Sequence, residues 1–247
     1  IRAGVHKQLL AQYLNEWQEG KIQTYDQDWI LHYSIEQKLQ HEVGYLLPAG
    51  GLHAPGSAVT IELQEDSDVF AMLQAVLSDG TRIPKEALWK DVHADDRAKL
   101  GVNAVVEQVD WQLAADVEYT EKYRLVPTLR FEQSGAGKEE WIYFAGDDPK
   151  FTGTKVTVSP GKTFVSQDNG AYSVYVWEGG GNFGGVPVKG TADRVGDHAQ
   201  DELLVTHSRA TKPLDITNTG DAPLMLIKFF GPGINREGLP RVKAYQR

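Results

Sequence analysis

Between residues 141 and 230 the chain is cut into short apolar runs by turn residues, and this rhythm constrains the fold more than any other feature. The runs are WIYFAG, KVTVSPG, KTFVSQDNG, AYSVYVWEGGG, VPVKG, DELLVTHSRA, PLDITNTGDAPL and LMLIKFF. SPG, DNG, EGGG and NTGD are turn signals with a mechanism, because Gly and Asn tolerate positive φ. Strands so closely spaced predict an antiparallel sandwich or barrel. Trp141, Tyr143, Phe144, Tyr172, Tyr175 and Trp177 read mostly as its core, and one or two aromatic faces at a barrel mouth would suit stacking on a sugar.

Residues 132–140 (EQSGAGKEE) read as a polar, Gly-containing linker and the main domain boundary. Residues 84–118 read as helical, with Pro84 in a first turn and Asp95-Asp96 opening a helix that runs through Val109. Residues 5–19 place Leu9, Leu10, Tyr13, Leu14 and Trp17 at helical spacing, stopped by Gly20, so their apolar stripe is a packing face. From Ile30 the pattern turns to β. In Val59–Gln64, Val59, Ile61 and Leu63 alternate with Thr60, Glu62 and Gln64, which predicts a strand with one polar face, either lining a cavity or solvated.

The 247 residues suffice for one large or two small domains, and 41% hydrophobic with 24% charged residues is ordinary for a globular chain. A net charge of -9 argues against nucleic acid and against an anionic membrane surface. No cysteine is present, so a metal would fall to His, Asp, Glu, Gln or water. No apolar run approaches the roughly 20 residues of a membrane span. The chain opens at Ile1 without a methionine, which reads as a processed, trimmed or incompletely represented N-terminus.

Pro48-Ala-Gly50-Gly-Leu-His53 places an imidazole at the end of a Pro/Gly turn, followed by Glu62-Leu-Gln64 and Ser67-Asp68. This segment resembles the second motif of the cupin superfamily, Pro-x-Gly-x-x-His. Its continuation is similar to the His-Ala, Glu-Ile-Gln and Ser-Asp pattern of type I phosphomannose isomerases, over roughly residues 5–75. The second half resembles another cupin barrel that has lost its ligands. Gln167 and Asn169 stand at the histidine positions of the first motif, and Leu214 stands at that of the second. The resemblance implies two tandem β-barrels, with the first motif of the N-terminal barrel expected upstream of Ile1. It also implies a divalent metal, zinc foremost, with manganese, iron or nickel as alternatives.

On that resemblance His53 is the candidate metal ligand, Glu62 the candidate proton-transfer group and Gln64 a candidate substrate contact. The alternatives are a histidine satisfied by backbone groups and two solvated strand residues. Val69–Met72 carries no cation where these isomerases place an arginine, which favours a neutral or carboxylated sugar, or a different chemistry on the same scaffold, over a sugar phosphate. His198 and His207 fit no ligand spacing; His6, His32, His41 and His93 have no evident partner, and His93 suits a helix lead-in. EGGGNFGG precedes no helix and reads as a hairpin turn.

The expectation is a mainly β chain of two tandem cupin-like barrels with inserted helices: an N-terminal barrel with a helical insertion over 1–83, a helical connector and linker over 84–137 and a metal-free cupin-like barrel over 138–247. The leading functional reading is a cytoplasmic, metal-dependent aldose-ketose isomerase acting on a small-molecule carbohydrate. The alternatives are a non-catalytic sugar-binding or assembly protein and a metal-dependent oxygenase or lyase. The expected partners are the carbohydrate and, as an option, further copies of the chain in a homo-oligomer.

Overall fold

The computed structural model describes residues 6–54, 56, 58–64, 71–145, 149–190 and 200–245. The chain is mainly β and divides into two compact units: residues 1–39 with 47–121, and residues 40–46 with 122–247.

The N-terminal unit is built on α1 (Lys7–Glu19), which buries Leu10, Tyr13, Leu14 and Trp17, the stripe that the helical spacing predicts. These side chains pack with Ile22, Ala75, Val76, Leu88 and Val102 in one apolar cluster. Asp28 ties the cluster together from inside. Its carboxylate accepts from the Tyr13 hydroxyl at 2.5 Å and from the backbone N–H groups of Ala75 and Val76 at 2.8 and 2.7 Å. A 3-10 turn over Lys85–Trp89 follows Pro84, then α2 (Ala94–Leu100), α3 (Asn103–Val106), α4 (Trp111–Ala114) and α5 (Tyr119–Lys122). Asp95 and Asp96 do occupy the first turn of α2, but the helix does not run on to Val109, because Gly101 takes φ +55° and ends it.

The strand expected over Val59–Gln64 is not formed. Its residues belong to no strand ladder, and Val59 is 84% exposed. An alternating pattern yields a strand only where a ladder partner satisfies its backbone. In residues 71–83 the β reading reduces to one isolated bridge, Val76 to Arg82. Among the described residues the N-terminal unit therefore contains no barrel.

The C-terminal unit is the sandwich. The short strands β1 (Gly44–Tyr45) and β2 (Arg124–Leu125) pair with each other. β3 (Thr128–Gln133), β4 (Gly137–Tyr143), β5 (Thr152–Val158), β6 (Thr163–Ser166), β7 (Tyr172–Glu178), β8 (Gly180–Phe183), β9 (Val186–Lys189) and β10 (Glu202–Val205) follow; α6 (His207–Ala210), β11 (Leu214–Asn218) and β12 (Leu224–Phe230) complete it. One sheet has the order β10-β7-β12-β5-β4-β3 and the other β6-β11-β8-β9, with every pairing antiparallel. From β5 to β6, β7 and β8, and again from β10 to β11 and β12, the chain alternates between sheets, the habit of a jelly roll. The expected linker over 132–140 is instead the β3–β4 hairpin, turning at 134–136. Its two consecutive glutamates belong to a strand, not to a solvated connection. The core between the sheets holds Val156, Val158, Phe164, Val174, Val176, Ile216, Leu224 and Leu226.

Candidate functional site

Successive residues of a strand face opposite sides, so β12 directs Leu224, Leu226, Lys228 and Phe230 into the sandwich. Lys228 thus enters the core in phase with three apolar residues, fully buried. β4 supplies Glu139, β5 supplies Thr154, and the end of β6 with the turn after it supplies Ser166 and Asp168.

The Lys228 ammonium donates to Ser166 Oγ at 2.6 Å, to Asp168 Oδ2 at 3.0 Å and to both Glu139 carboxylate oxygens at 3.2 Å. Arg130 Nη1 bridges the same two carboxylates, reaching Glu139 Oε1 at 2.7 Å and Asp168 Oδ1 at 2.9 Å. Thr154 Oγ1 donates to Glu139 Oε1 at 2.6 Å, and Asn235 Nδ2 donates to Asp168 Oδ1 at 2.8 Å. The Tyr172 ring lies beneath the ammonium, 5.3 Å from its centroid, and the Trp141 ring lies 5.4 Å from the Arg130 guanidinium.

Two cations and two anions balance within this cluster. For Asp168, burial alone would raise the pKa, but Lys228 and Arg130 hold it below the usual carboxylate range. For Arg130, burial opposes the charge, yet the neighbouring carboxylates raise its pKa above the ordinary value. Tyr172 is pushed up by burial first and then by the negative charge of Asp168, so its hydroxyl stays neutral.

The residues that follow β12 close the cluster. Ile234 and Leu239 pack on the core, Val242 lies within it, and Ile234 sits against Gly170. Asn235 and Asn169 exchange hydrogen bonds, each side-chain oxygen accepting from the other's backbone N–H, at 3.2 and 2.9 Å.

The resemblance puts Gln167 and Asn169 at the histidine positions of the first motif. Both are exposed, because the alternation that turns Phe164, Ser166 and Asp168 inward turns these two out. Gln167 donates to the Thr211 carbonyl at 3.0 Å. Leu214 is a core residue. Of the aromatics, Trp141, Phe144 and Tyr172 are core, whereas Tyr175 and Trp177 have the opposite phase on β7 and are half-buried.

In the N-terminal unit His53 ends the loop that the motif predicts. Gly50 takes φ +79°, and any Cβ there would stand 2.8 Å from the Asp110 backbone nitrogen, so only glycine fits. The Gly50 carbonyl accepts from that nitrogen at 3.0 Å, pinning the loop to the start of α4. His53 is exposed, and its Nδ1 lies 3.0 Å from the Gly51 carbonyl. Glu62 and Gln64 are exposed on an irregular stretch; Ser67 and Asp68 lie outside the described residues. His6, His32, His41, His93 and His207 are exposed, His93 capping α2, and His198 lies outside the described residues.

A protein metal site takes three or four ligands. Among the described residues no three His, Asp or Glu side chains are grouped to hold a metal ion. Inside the sandwich the carboxylates are already turned onto Lys228 and Arg130, so these residues do not fit a divalent metal. The sequence signal for the cluster is a lysine in phase with Leu224, Leu226 and Phe230. A separate open groove of about 410 Å³ lies at the β8–β9 side of the same unit, lined by residues 179–181, Lys189, Gln200, Thr219 and Asp221.

No family model matches the chain, and no curated protein matches it. Solved structures with a partial likeness include an RmlC-like cupin from Shewanella frigidimarina, 19% identical over 46% of this chain and 86% of that one, at a TM-score of 0.30. A predicted oxalate decarboxylase from Thermotoga maritima is 17% identical over 44% and 93%, at 0.29. The polyketide cyclase RemF from Streptomyces resistomycificus is 13% identical over 49% and 84%, at 0.30. The class of this chain rests on its own strand order: a mainly β protein with an antiparallel double-sheet sandwich and an ionic interior. No helix among the described residues is long and apolar enough to cross a membrane.

Proposed function

We propose that the chain is a non-catalytic binding protein for a small-molecule carbohydrate, in which the sandwich interior is closed and the groove beside β8 and β9 receives the ligand. The observation that carries this reading is the Lys228 ammonium, which takes up the carboxylate and hydroxyl oxygens of the sandwich interior and leaves them no further partner to bind. The groove supports it, since its lining includes the ammonium of Lys189, the amide of Gln200, the hydroxyl of Thr219, the carboxylate of Asp221 and glycine backbone, groups that can hydrogen-bond a hydroxyl-rich molecule. Titration calorimetry with neutral and carboxylated sugars is the test. Gln200→Ala and Asp221→Ala are expected to weaken binding tenfold or more; absence of binding by every sugar overturns the proposal.

One observation favours a second reading, the metal-dependent sugar isomerase. A metal-ligating histidine usually donates its other ring N–H to a carbonyl or carboxylate, which fixes the tautomer. His53 has such a partner in the Gly51 carbonyl, leaving Nε2 as the lone-pair nitrogen of an exposed ring. In this reading His53 is a metal ligand, Glu62 moves the proton and Gln64 contacts the sugar. It requires stoichiometric divalent metal in protein purified without chelators, and sugar isomerisation that His53→Ala abolishes. Metal-free protein with no isomerisation sinks it.

A further inference from the structure

We infer that the interior of the C-terminal sandwich is a site for one monovalent cation, and that the protein fills it with its own Lys228 ammonium. Four oxygens lie within 2.6–3.2 Å of Lys228 Nζ: both of Glu139, Ser166 Oγ and Asp168 Oδ2. All of these side chains are buried, so the oxygens have no recourse to solvent. The charge count sets the selectivity. Glu139 and Asp168 contribute two negative charges and Arg130, which bonds to both, contributes one positive charge. The remaining single negative charge is neutralised by an ammonium, whereas a divalent ion would leave the buried cluster positive. Uncompensated charge of either sign in such a place is strongly disfavoured.

The inference rests on the same Lys228 contacts as the closed interior of the proposed function, but not on what the groove binds. Failed sugar titrations leave it standing, and its own failure leaves groove binding standing. The experiment is chemical rescue of Lys228→Ala, followed by thermal denaturation of the full chain. Propylammonium carries the three carbons and the nitrogen that this substitution deletes.

Lys228→Ala is expected to melt well below the parent chain. Propylammonium is expected to restore much of the loss, while tetramethylammonium at equal ionic strength and Mn²⁺ restore little. An undiminished melting temperature, rescue by Mn²⁺ as complete as by the amine, or an amine effect no larger than that of tetramethylammonium overturns the inference.

Should Lys228→Ala fail to fold, charge balance is read from Lys228→Met with and without Glu139→Gln. The double variant, again neutral overall, is expected to melt above Lys228→Met, or to be recovered folded where Lys228→Met is not. A double variant no better than the single one overturns the inference.

Discussion

Replacing Glu139 by leucine would leave Lys228 and Arg130 facing Asp168 alone, deep in a core that includes Trp141 and Tyr172. Removing one partner from a buried ion cluster typically costs about 3–5 kcal/mol, because the remaining charge keeps its desolvation penalty and loses its compensation. Glu139→Leu is therefore expected to lower the unfolding free energy by that amount in urea denaturation. Gln167→Ala, between Ser166 and Asp168 but on the exposed face, loses a single surface hydrogen bond and is expected to cost under about 1 kcal/mol. Equal costs for the two would contradict the inward placement of Ser166 and Asp168 in preference to Gln167 and Asn169. The cluster was partly legible in the residues themselves. Lys228 interrupts LMLIKFF on its apolar phase, which a solvated strand residue has no reason to do. Glu139 was hidden because its neighbours, Ser134-Gly-Ala-Gly137, spell a flexible linker as readily as a tight hairpin.

At the scale of elements, the strands of the C-terminal unit were readable because each carries its own two-residue period and its own turn chemistry. Val59–Gln64 has the same period and forms no strand, since pairing depends on a partner elsewhere in the chain, and one segment does not reveal whether that partner exists. The loop ending at His53 is a case where local signals did suffice. Pro48 and Gly50 shape it, and Gly50 is packed against the Asp110 backbone. Gly50→Ala combines a positive φ with a backbone clash and is expected to destabilise the N-terminal unit by about 1–3 kcal/mol. Hydrogen exchange should then speed up at the Asp110 amide, which donates to Gly50. Unchanged exchange there would mean that the loop is not pinned.

For the whole molecule, the ion cluster and the buried tyrosines set the pH range of stability. The folded pKa of Asp168 is depressed, so its contribution is present above the unfolded carboxylate value of about 3.9 and is lost as pH falls through the lower folded value. Tyr172 and Tyr13 are raised, Tyr13 by burial first and then by Asp28; their contribution is full below about pH 10 and lost as pH rises beyond it. Denaturation midpoints measured across pH should therefore fall at both extremes. Asp168→Asn should flatten the acid limb and, because the Asp168 charge also helps to raise Tyr172, weaken only part of the alkaline limb, the part due to Tyr13 staying in place.

The position of β12 in its sheet also governs the order of events when the chain is made. This strand lies between β7 and β5, yet both precede it in the sequence. Until β12 leaves the ribosome, the six-stranded sheet consists of two separate parts with a vacant lane between them, and Glu139 and Asp168 await the cation that β12 carries. Contacts between distant parts of a chain form slowly, and unpaired strand edges invite association. Nascent chains arrested before Leu224 should thus be held by chaperones or aggregate, and release of the Leu224–Phe230 stretch should be the step that makes the sandwich protease-resistant.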